Sequence, residues 1–181
     1  MNDPRDFMCA DTLRNGLAVT IRHLRADDRE RIANAVRQLD RESIYTRLFS
    51  YRRELTESGL DRIMKFDPQR EVALVVTTGT GKDEIVIGSG RYVVVDPGAA
   101  ERTAEVAFVV EEDYQRLGIA SRLLRHFAQI ARDQGIVELE ADVLGGNASM
   151  LTVFTRSGLP MRKRQESGTV HLALSLRGEG A

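Results

Sequence analysis

The chain has 181 residues, with 26 lysines and arginines against 27 aspartates and glutamates, so its formal charge is −1. This balance removes the electrostatic case for a nucleic-acid or anionic-membrane binder, and the length suits one domain. One cysteine and three scattered histidines exclude an intramolecular disulfide and a local zinc motif, so we expect no metal. No apolar run reaches the ~18 residues of a membrane span and the start lacks a signal-peptide stretch, so we expect a cytoplasmic protein.

The first half of the chain predicts a hairpin, several helices and then strands. Residues 1–10 are polar and are expected to form a flexible arm, with a single domain over residues 11–181. A hairpin is predicted from Asp11, because Asn15-Gly16 suits a tight two-residue turn. Three short helices are expected next, beginning near Ala26, near Glu42 and after Thr56, which can cap the third. Strands at about 72–77 and 84–95 follow.

The second half predicts one β-α-β unit and a terminal hairpin. A strand at about 104–110 leads to the clearest helix, over 118–134. The apolar residues of this helix recur on one face: Ile119, Leu123, Phe127, Ile130 and Ala131. The last elements are a strand at 137–143, a helix at 147–157 and strands at about 161–165 and 169–176. This order predicts an α+β fold, in which helices flank a mixed, mostly antiparallel central sheet.

The segment that leads into the strongest helix has the features of an anion-binding loop. Gly118, Ala120 and Ser121 are small enough to let a ligand approach the backbone. The free N–H groups and the positive dipole at a helix N-terminus favour phosphate. Arg116 and Arg122 add positive charge. From these residues alone, an anion cradle and an ordinary strand-to-helix turn remain alternatives.

Two other glycine motifs do not indicate a nucleotide site. Gly81-Lys82 lacks the residues of a P-loop, since Val76 and Asp83 stand where a glycine and a Ser or Thr are needed. Gly88-Ser89-Gly90 lacks the third glycine of a dinucleotide fingerprint. Glycines within a strand indicate a bulge or a close backbone approach, which we expect here.

The sequence Gln115-Arg116-Leu117-Gly118-Ile119-Ala120 resembles the Gln/Arg-x-x-Gly-x-Gly/Ala signature of the GNAT superfamily of N-acetyltransferases. Asn147, Met150, Phe154 and Gly158 stand where that family has its Asn-rich second motif. The resemblance covers about residues 11–177 and implies the GNAT acyl-CoA N-acyltransferase fold, with acetyl-CoA as co-substrate. It implies that residues 115–121, including Ser121, hold the pyrophosphate. It further implies that the acyl-CoA arm lies along Phe108, Val109, Val110 and Asn147. Phe154 is expected to bind the cofactor by packing against CoA, with packing in the core as the alternative.

A narrower resemblance is to the acetyltransferase domain of bacterial Pat-type protein lysine acetyltransferases. It is carried by Leu13-Arg14-Asn15-Gly16, Ile21-Arg22, Asp27-Asp28-Arg29 and the run from Glu42 to Phe49. Pat-type enzymes acetylate the active-site lysine of acyl-CoA synthetases. The resemblance therefore implies a protein lysine as acceptor, on an acyl-CoA synthetase or another protein. We expect a monomer or a homodimer.

Acetyl transfer to an amine requires a base, because a lysine has a reference pKa of about 10.4. Glu105 is the candidate, since it lies on the strand before the loop and Pat-type enzymes have a catalytic glutamate there. A sheet-face carboxylate paired with an arginine is the alternative. Glu140 and Asp142, on the neighbouring strand, are further candidates for the base. Alternatively, they line the entrance for a cationic substrate or simply face solvent. Tyr45 and Tyr51 are expected in the acceptor site, with packing roles as the alternative.

One departure from the family concerns the general acid. Many members have a tyrosine where this chain has Phe154, which cannot donate a proton, so Ser121 or water is left to protonate the thiolate.

We expect direct attack of the amine on the thioester in a ternary complex, with a protein lysine as the favoured acceptor. The alternatives are a small amine (an aminoglycoside, a polyamine or an amino acid) and a non-catalytic acyl-CoA-binding sensor module. His126 is expected on the surface, and Cys9 has no visible base.

Overall fold

A computed structural model of the chain describes residues 3–38, 57–65 and 67–178. Its described part contains four α-helices: α1 (Arg29–Gln38), α2 (Glu57–Met64), α3 (Ile119–Asp133) and α4 (Ala148–Thr155). The strands are β1 (Met8–Thr12), β2 (Ala18–His23), β3 (Glu71–Thr78), β4 (Ile85–Val94), β5 (Arg102–Val110), β6 (Ile136–Leu144), β7 (Met161–Glu166) and β8 (Thr169–Ser175).

The eight strands form one sheet in the order β1-β2-β3-β4-β5-β6-β8-β7. Every neighbouring pair is antiparallel except β5 and β6, which are parallel. A parallel pair needs a crossover connection, and α3 supplies it. The predicted mixed, mostly antiparallel sheet with one β-α-β unit is therefore confirmed.

The sheet is covered by helices on both faces, although not over its whole width. Leu74 and Val76 of β3 belong to the main core, in which α3 buries its apolar stripe. Val75, between them, packs on the opposite face in a second cluster with residues of α1 and α2. Side chains alternate between the two faces of a strand, so α3 and the pair α1–α2 lie on opposite faces.

The start of the chain differs from the prediction. Residues 8–10, assigned to the flexible arm, belong to β1, where Met8, Cys9 and Ala10 pair with β2. The polar pattern missed this strand because its pairing partner, and not its own composition, orders it. Cys9 Sγ also lies 3.6 Å from Nε2 of the half-buried His126, so the expectation that no base is near Cys9 was wrong. The helix expected near Glu42, and with it Tyr45 and Tyr51, lies outside the described residues.

Gly88 and Gly90 mark the place where β4 meets α3. A Cβ at Gly88 would lie 2.8 Å from Ile119 Cγ2, and one at Gly90 would lie 2.8 Å from Phe127 Cε2. The register between β3 and β4 also shifts between Val76 and Thr77, which is a β-bulge. The close approach and the bulge that the strand glycines predict are both present.

Candidate active site

The two parallel strands at the centre of the sheet separate halfway along their length. β5 and β6 pair only from Arg102 and Ile136 to Glu105 and Glu140. Beyond that point β5 continues beside β4 as far as Val110, and β6 continues beside β8 as far as Leu144. The strands therefore diverge, and a cleft opens beside the carboxyl end of β5.

This cleft has a volume of about 510 Å³ and is rich in positive charge. Its walls come from the end of β5, the following loop, the first turn of α3 and one side of α4. Arg14, Arg116 and Arg156 line it, and no aspartate or glutamate of the described residues does. An anionic ligand is therefore favoured in this cleft.

The loop before α3 exposes its backbone N–H groups. Arg116 and Gly118 both have positive φ angles, 61° and 90°, and Gly118 is the N-cap of the helix. The first N–H groups of a helix have no partner within it, and no described residue accepts a hydrogen bond from those of residues 119–121. Donors of this kind, at the positive end of the helix dipole, fit a diphosphate such as that of acetyl-CoA.

Most of the residues that the resemblance assigns to the cofactor lie on the wall of this cleft: Val110, Gln115, Arg116, Gly118, Ile119, Ala120, Ser121 and Asn147. Val109 and Leu117 do not line it. The side chains of Phe108 and Phe154 are only 5% and 2% exposed, and their ring centroids are 5.9 Å apart. These two side chains are therefore core residues and not walls of the cleft, because apolar burial between the sheet and the helices holds them there.

Asn147 has a structural role that does not prevent a second one. It is the N-cap of α4, and its Oδ1 accepts a hydrogen bond of 3.1 Å from the backbone N–H of Met150. The side-chain NH₂ group remains as a donor. Since Asn147 also lines the cleft, capping and ligand binding are compatible.

The arginines of the cleft differ from those that the sequence suggested. Arg122 Nε lies 2.8 Å from Asp11 Oδ2, and its Nη2 donates to the carbonyl oxygen of Thr12. This side chain therefore links α3 to β1, and its positive charge is paired with Asp11. Arg14 and Arg156 were missed. Arg14 comes from the β1–β2 turn, and its backbone N–H donates to the carbonyl oxygen of Leu117 at 3.4 Å. The Asn15-Gly16 signal located that turn, but not its contact with a loop a hundred residues further on.

A row of carboxylates lies where β5 and β6 separate. Glu105 and Glu140 are partners in the last pair of the two strands. Both project away from α3, because the neighbouring Ala104, Leu139 and Ala141 are buried in the main core. Burial, and then the carboxylates of Glu138, Glu105 and Asp142, raise the pKa of Glu140. The position suits an incoming cation, which would relieve this repulsion.

Asp142 lies further along the same row. His171 of β8 is opposite it, with 2.5 Å between His171 Nδ1 and Asp142 Oδ1. The structure thus brings Glu105, Glu140 and Asp142 to one face of the sheet, as their shared spacing along two strands suggests. Glu105 and Glu140 stand where the divergence of β5 and β6 begins, and Val110, at the end of β5, lines the cleft.

A strand pair that diverges beside an N–H-lined loop is the arrangement of an acyl-CoA N-acyltransferase. The chain matches the Acetyltransferase (GNAT) family over residues 34–159 and belongs to that family. It is an acetyl-CoA-dependent N-acetyltransferase. Among the described residues, no helix is long and apolar enough to cross a bilayer, and no three metal-ligating side chains form a cluster.

Within that family the chain is similar to Pat enzymes. It matches the structure of the GNAT domain of S. lividans PAT with a TM-score of 0.81 and 32% identity, over 93% of this chain and 96% of that chain. It is 31% identical over 146 residues to Acetyltransferase Pat of Mycolicibacterium smegmatis, covering 81% of this chain and 42% of that protein. It is 29% identical over 140 residues to Acetyltransferase PA5475 of Pseudomonas aeruginosa, covering 77% of this chain and 74% of that protein. The chain thus spans less than half the length of the Mycolicibacterium relative.

Proposed function

We propose that this acetyltransferase modifies lysine side chains of a protein. The observation that carries the proposal is the pair of adjacent carboxylates, Glu105 and Glu140, where β5 and β6 diverge. A lysine is a long side chain that ends in a compact cation, so it can reach a carboxylate between two strands while its backbone stays outside. The likeness to the GNAT domain of S. lividans PAT supports the same acceptor class.

Cofactor binding is assigned to the residues of the cleft, and proton transfer to the acidic residues where β5 and β6 diverge. Acetyl-CoA, as the substrate, supplies the activated acetyl group. The N–H groups of residues 119–121 and the arginines of the cleft bind its phosphates, while Val110 and Asn147, which also line the cleft, contact the rest of the molecule. These contacts hold the thioester and restrict its orientation, which lowers the entropic part of the barrier.

Proton transfer is assigned to the acidic face. Glu105 accepts a proton from the lysine ammonium, directly or through one water, and the neutral nitrogen attacks the thioester carbonyl carbon. The C–N bond forms in a tetrahedral adduct, whose collapse breaks the C–S bond. The second proton of the attacking nitrogen passes through Ser121 or water to the thiolate, so the products are the amide and the free thiol. Glu140 adds negative charge that attracts the ammonium before it is deprotonated.

The experiment uses purified protein, isotope-labelled acetyl-CoA and a cell extract separated into macromolecules and small molecules. We expect label on protein lysines. The Glu105→Gln variant should lose about 100-fold or more in turnover, within the usual range for general base catalysis, while calorimetry shows unchanged CoA affinity. Glu30→Gln, an exposed carboxylate of α1, is the matched control and should retain activity.

Each other outcome assigns a different function. Label confined to small amines would contradict a protein acceptor and favour an aminoglycoside, polyamine or amino-acid acetyltransferase. No label in either fraction, with CoA still bound, would favour the sensor module. A Glu105→Gln variant with full activity would remove Glu105 from its role as base.

A further inference from the structure

The sheet face that carries Glu105 continues across β6, β8 and β7, and no described helix packs on that part of it. The apolar contacts of α1 and α2 lie over β2, β3 and β4, where they form the second cluster. Beyond β5 the same face is polar. The strand register places these side chains on it: Glu138, Glu140 and Asp142 of β6; His171, Ala173 and Ser175 of β8; Arg162 and Arg164 of β7.

Two rows of opposite charge run along this face. Ala173 is opposite both Glu140 and Arg162, and His171 is opposite both Asp142 and Arg164. The acidic row and the basic row are therefore two strand spacings apart, or about 10 Å. A cavity of about 310 Å³ lies between them, with the small side chain of Ala173 in its lining.

The charges of the two rows are only partly matched within the protein. Arg162 binds Glu138 at 2.7 Å, and His171 binds Asp142. Glu140 makes no ion pair or hydrogen bond with any residue in the described part of the chain, and neither does Glu105. Arg164 contacts its exposed strand neighbour Glu166 at 3.4 Å, and its own side chain is 75% exposed. A carboxylate without an ion pair among the described residues, Glu140, and an exposed guanidinium whose partner is the likewise exposed Glu166 thus lie on opposite sides of the cavity.

The spacing of these two side chains suits an extended peptide. Glu140 and Arg164 differ by two strands and by two residues along the strand, so their Cα atoms are about 12 Å apart. An extended segment rises about 3.3 Å per residue, so the same distance corresponds to three or four residues. A lysine and an acidic residue at that separation match both charges.

We propose that this face is the docking surface for the acceptor protein. An extended acceptor segment lies across β6, β8 and β7, with its lysine at Glu105 and Glu140 and an acidic side chain three or four positions away at Arg164. The inference rests on the proposed function and gives it a substrate class, namely lysines with an acidic neighbour at that spacing. Because Arg164 is exposed, its ion pair with the acceptor selects among acceptors more than it adds affinity.

The test compares three peptides that differ only at the third and fourth positions on both sides of a single lysine. These positions carry Glu, Gln or Lys. We expect kcat/KM to fall in that order by about three- to fivefold per step, as for exposed ion pairs. The differences should shrink in 1 M salt, where the Debye length is about 3 Å. Arg164→Glu should reverse the order. Lys82→Glu, at the exposed β3–β4 turn, is the matched charge reversal and should leave it unchanged.

The outcomes separate this inference from the proposed function. Equal kcat/KM values for all three peptides with the unmodified enzyme would overturn the docking surface and leave protein lysine acetylation standing, and this result needs no variant. The thermal midpoint shows whether the Arg164→Glu variant folds. If it folds and still prefers the Glu peptide, Arg164 of β7 does not bind the acidic side chain of the acceptor. If no lysine peptide and no protein is acetylated, both proposals fail. A preference for a free amino acid over every peptide would assign the cavity to a small zwitterion instead.

Discussion

The backbone of Gly118 shows how much of the loop before α3 depends on one residue. Its φ of 90° lies in the left-handed region, which residues with a Cβ adopt only at a cost. This conformation turns the chain from the loop into α3 and leaves the N–H groups of the first helical turn exposed to the cleft. The side chain of Arg122 packs against the same point and donates to the carbonyl oxygen of Gly118.

We predict that Gly118→Ala both weakens CoA binding and destabilises the fold. The new Cβ would lie 2.6 Å from Arg122 Nη1, so both the left-handed backbone and the arginine must adjust. The strain should cost about 1–3 kcal/mol of folding free energy. Calorimetry with CoA should show at least a tenfold loss of affinity, and urea unfolding should measure the stability.

Gly135→Ala is the control for this prediction. Gly135 also has a positive φ, 74°, but a Cβ added there would have no atom within 4 Å, and the residue follows the end of α3 far from the loop. This variant should lose similar stability and keep its CoA affinity. Equal CoA affinities for the two variants would contradict the role given to the loop.

At the level of elements, the packing of α3 on β4 positions the loop before α3. Gly88 and Gly90 let Ile119 and Phe127 approach the strand, and Phe127 also contacts the rings of Tyr92 and Phe108. Because the helix is held this closely along its length, its first turn has a defined position at the mouth of the cleft. Packing in the core thus places donors that are themselves exposed.

We predict that Gly90→Ala destabilises the protein by about 1–3 kcal/mol, the usual cost of overpacking a core. The added Cβ would lie 2.8 Å from Phe127 Cε2 and 3.0 Å from the backbone oxygen of Ala107. Neither the buried ring nor the strand backbone can move away easily. Urea denaturation measures the change. Gly146→Ala, where no atom lies within 4 Å of the new Cβ, should change stability by less than about 0.5 kcal/mol. A neutral Gly90→Ala would show that α3 is free to move away from β4.

At the level of the whole molecule, a buried ion cluster joins the strands of the sheet to α1. Arg22 of β2 binds Asp28, just before α1, at 2.7 Å and Glu84, just before β4, at 3.0 Å. Arg31 of α1 approaches both of these carboxylates at 3.3 Å. Arg22 and Asp28 are 2% and 0% exposed. The helix that covers one face of the sheet is thereby fixed to it by charge as well as by apolar contact.

We predict that Asp28→Asn costs about 3–5 kcal/mol, because it leaves the Arg22 guanidinium buried without its main counter-charge. Chemical denaturation at neutral pH measures this loss. Asp27→Asn is the matched control, since Asp27 is exposed and its ion pair with Arg31, at 3.8 Å, is longer than those of Asp28. A loss for Asp28→Asn no greater than for Asp27→Asn would contradict the structural role of the cluster.

The same cluster predicts an acid limit to stability. Burial acts to raise the pKa of Asp28, but hydrogen bonds from Arg22 and the Arg25 backbone outweigh it, so the pKa is lowered. The ionised carboxylate therefore stabilises the fold at pH values above its unfolded pKa of about 3.9, and this contribution is lost as the pH falls through the folded value. Asp28→Asn should flatten the fall in stability below pH 4.

The sequence by itself determined the elements whose signals are local. The apolar stripe of α3, the Asn15-Gly16 turn and the glycines of β4 each specify structure within a few residues, by periodicity, turn conformation or the absence of a side chain. The signature from Gln115 to Ala120 likewise located the loop, because its small residues and the helix start are adjacent in the chain. The order of the elements then sufficed for the fold class.

The tertiary structure decided which side chains meet. Arg122 pairs with Asp11, Arg14 reaches the loop before α3, and Cys9 lies beside His126, all across more than a hundred residues. Phe154, for which both the cofactor and the core were alternatives, packs against Phe108 in the core. Residue patterns report burial and local conformation, whereas the partner of an exposed or half-buried side chain depends on how distant strands and helices are brought together. For the same reason the unpaired carboxylate of Glu140 and the exposed guanidinium of Arg164, on opposite sides of one cavity, became visible only once β6, β8 and β7 lay side by side.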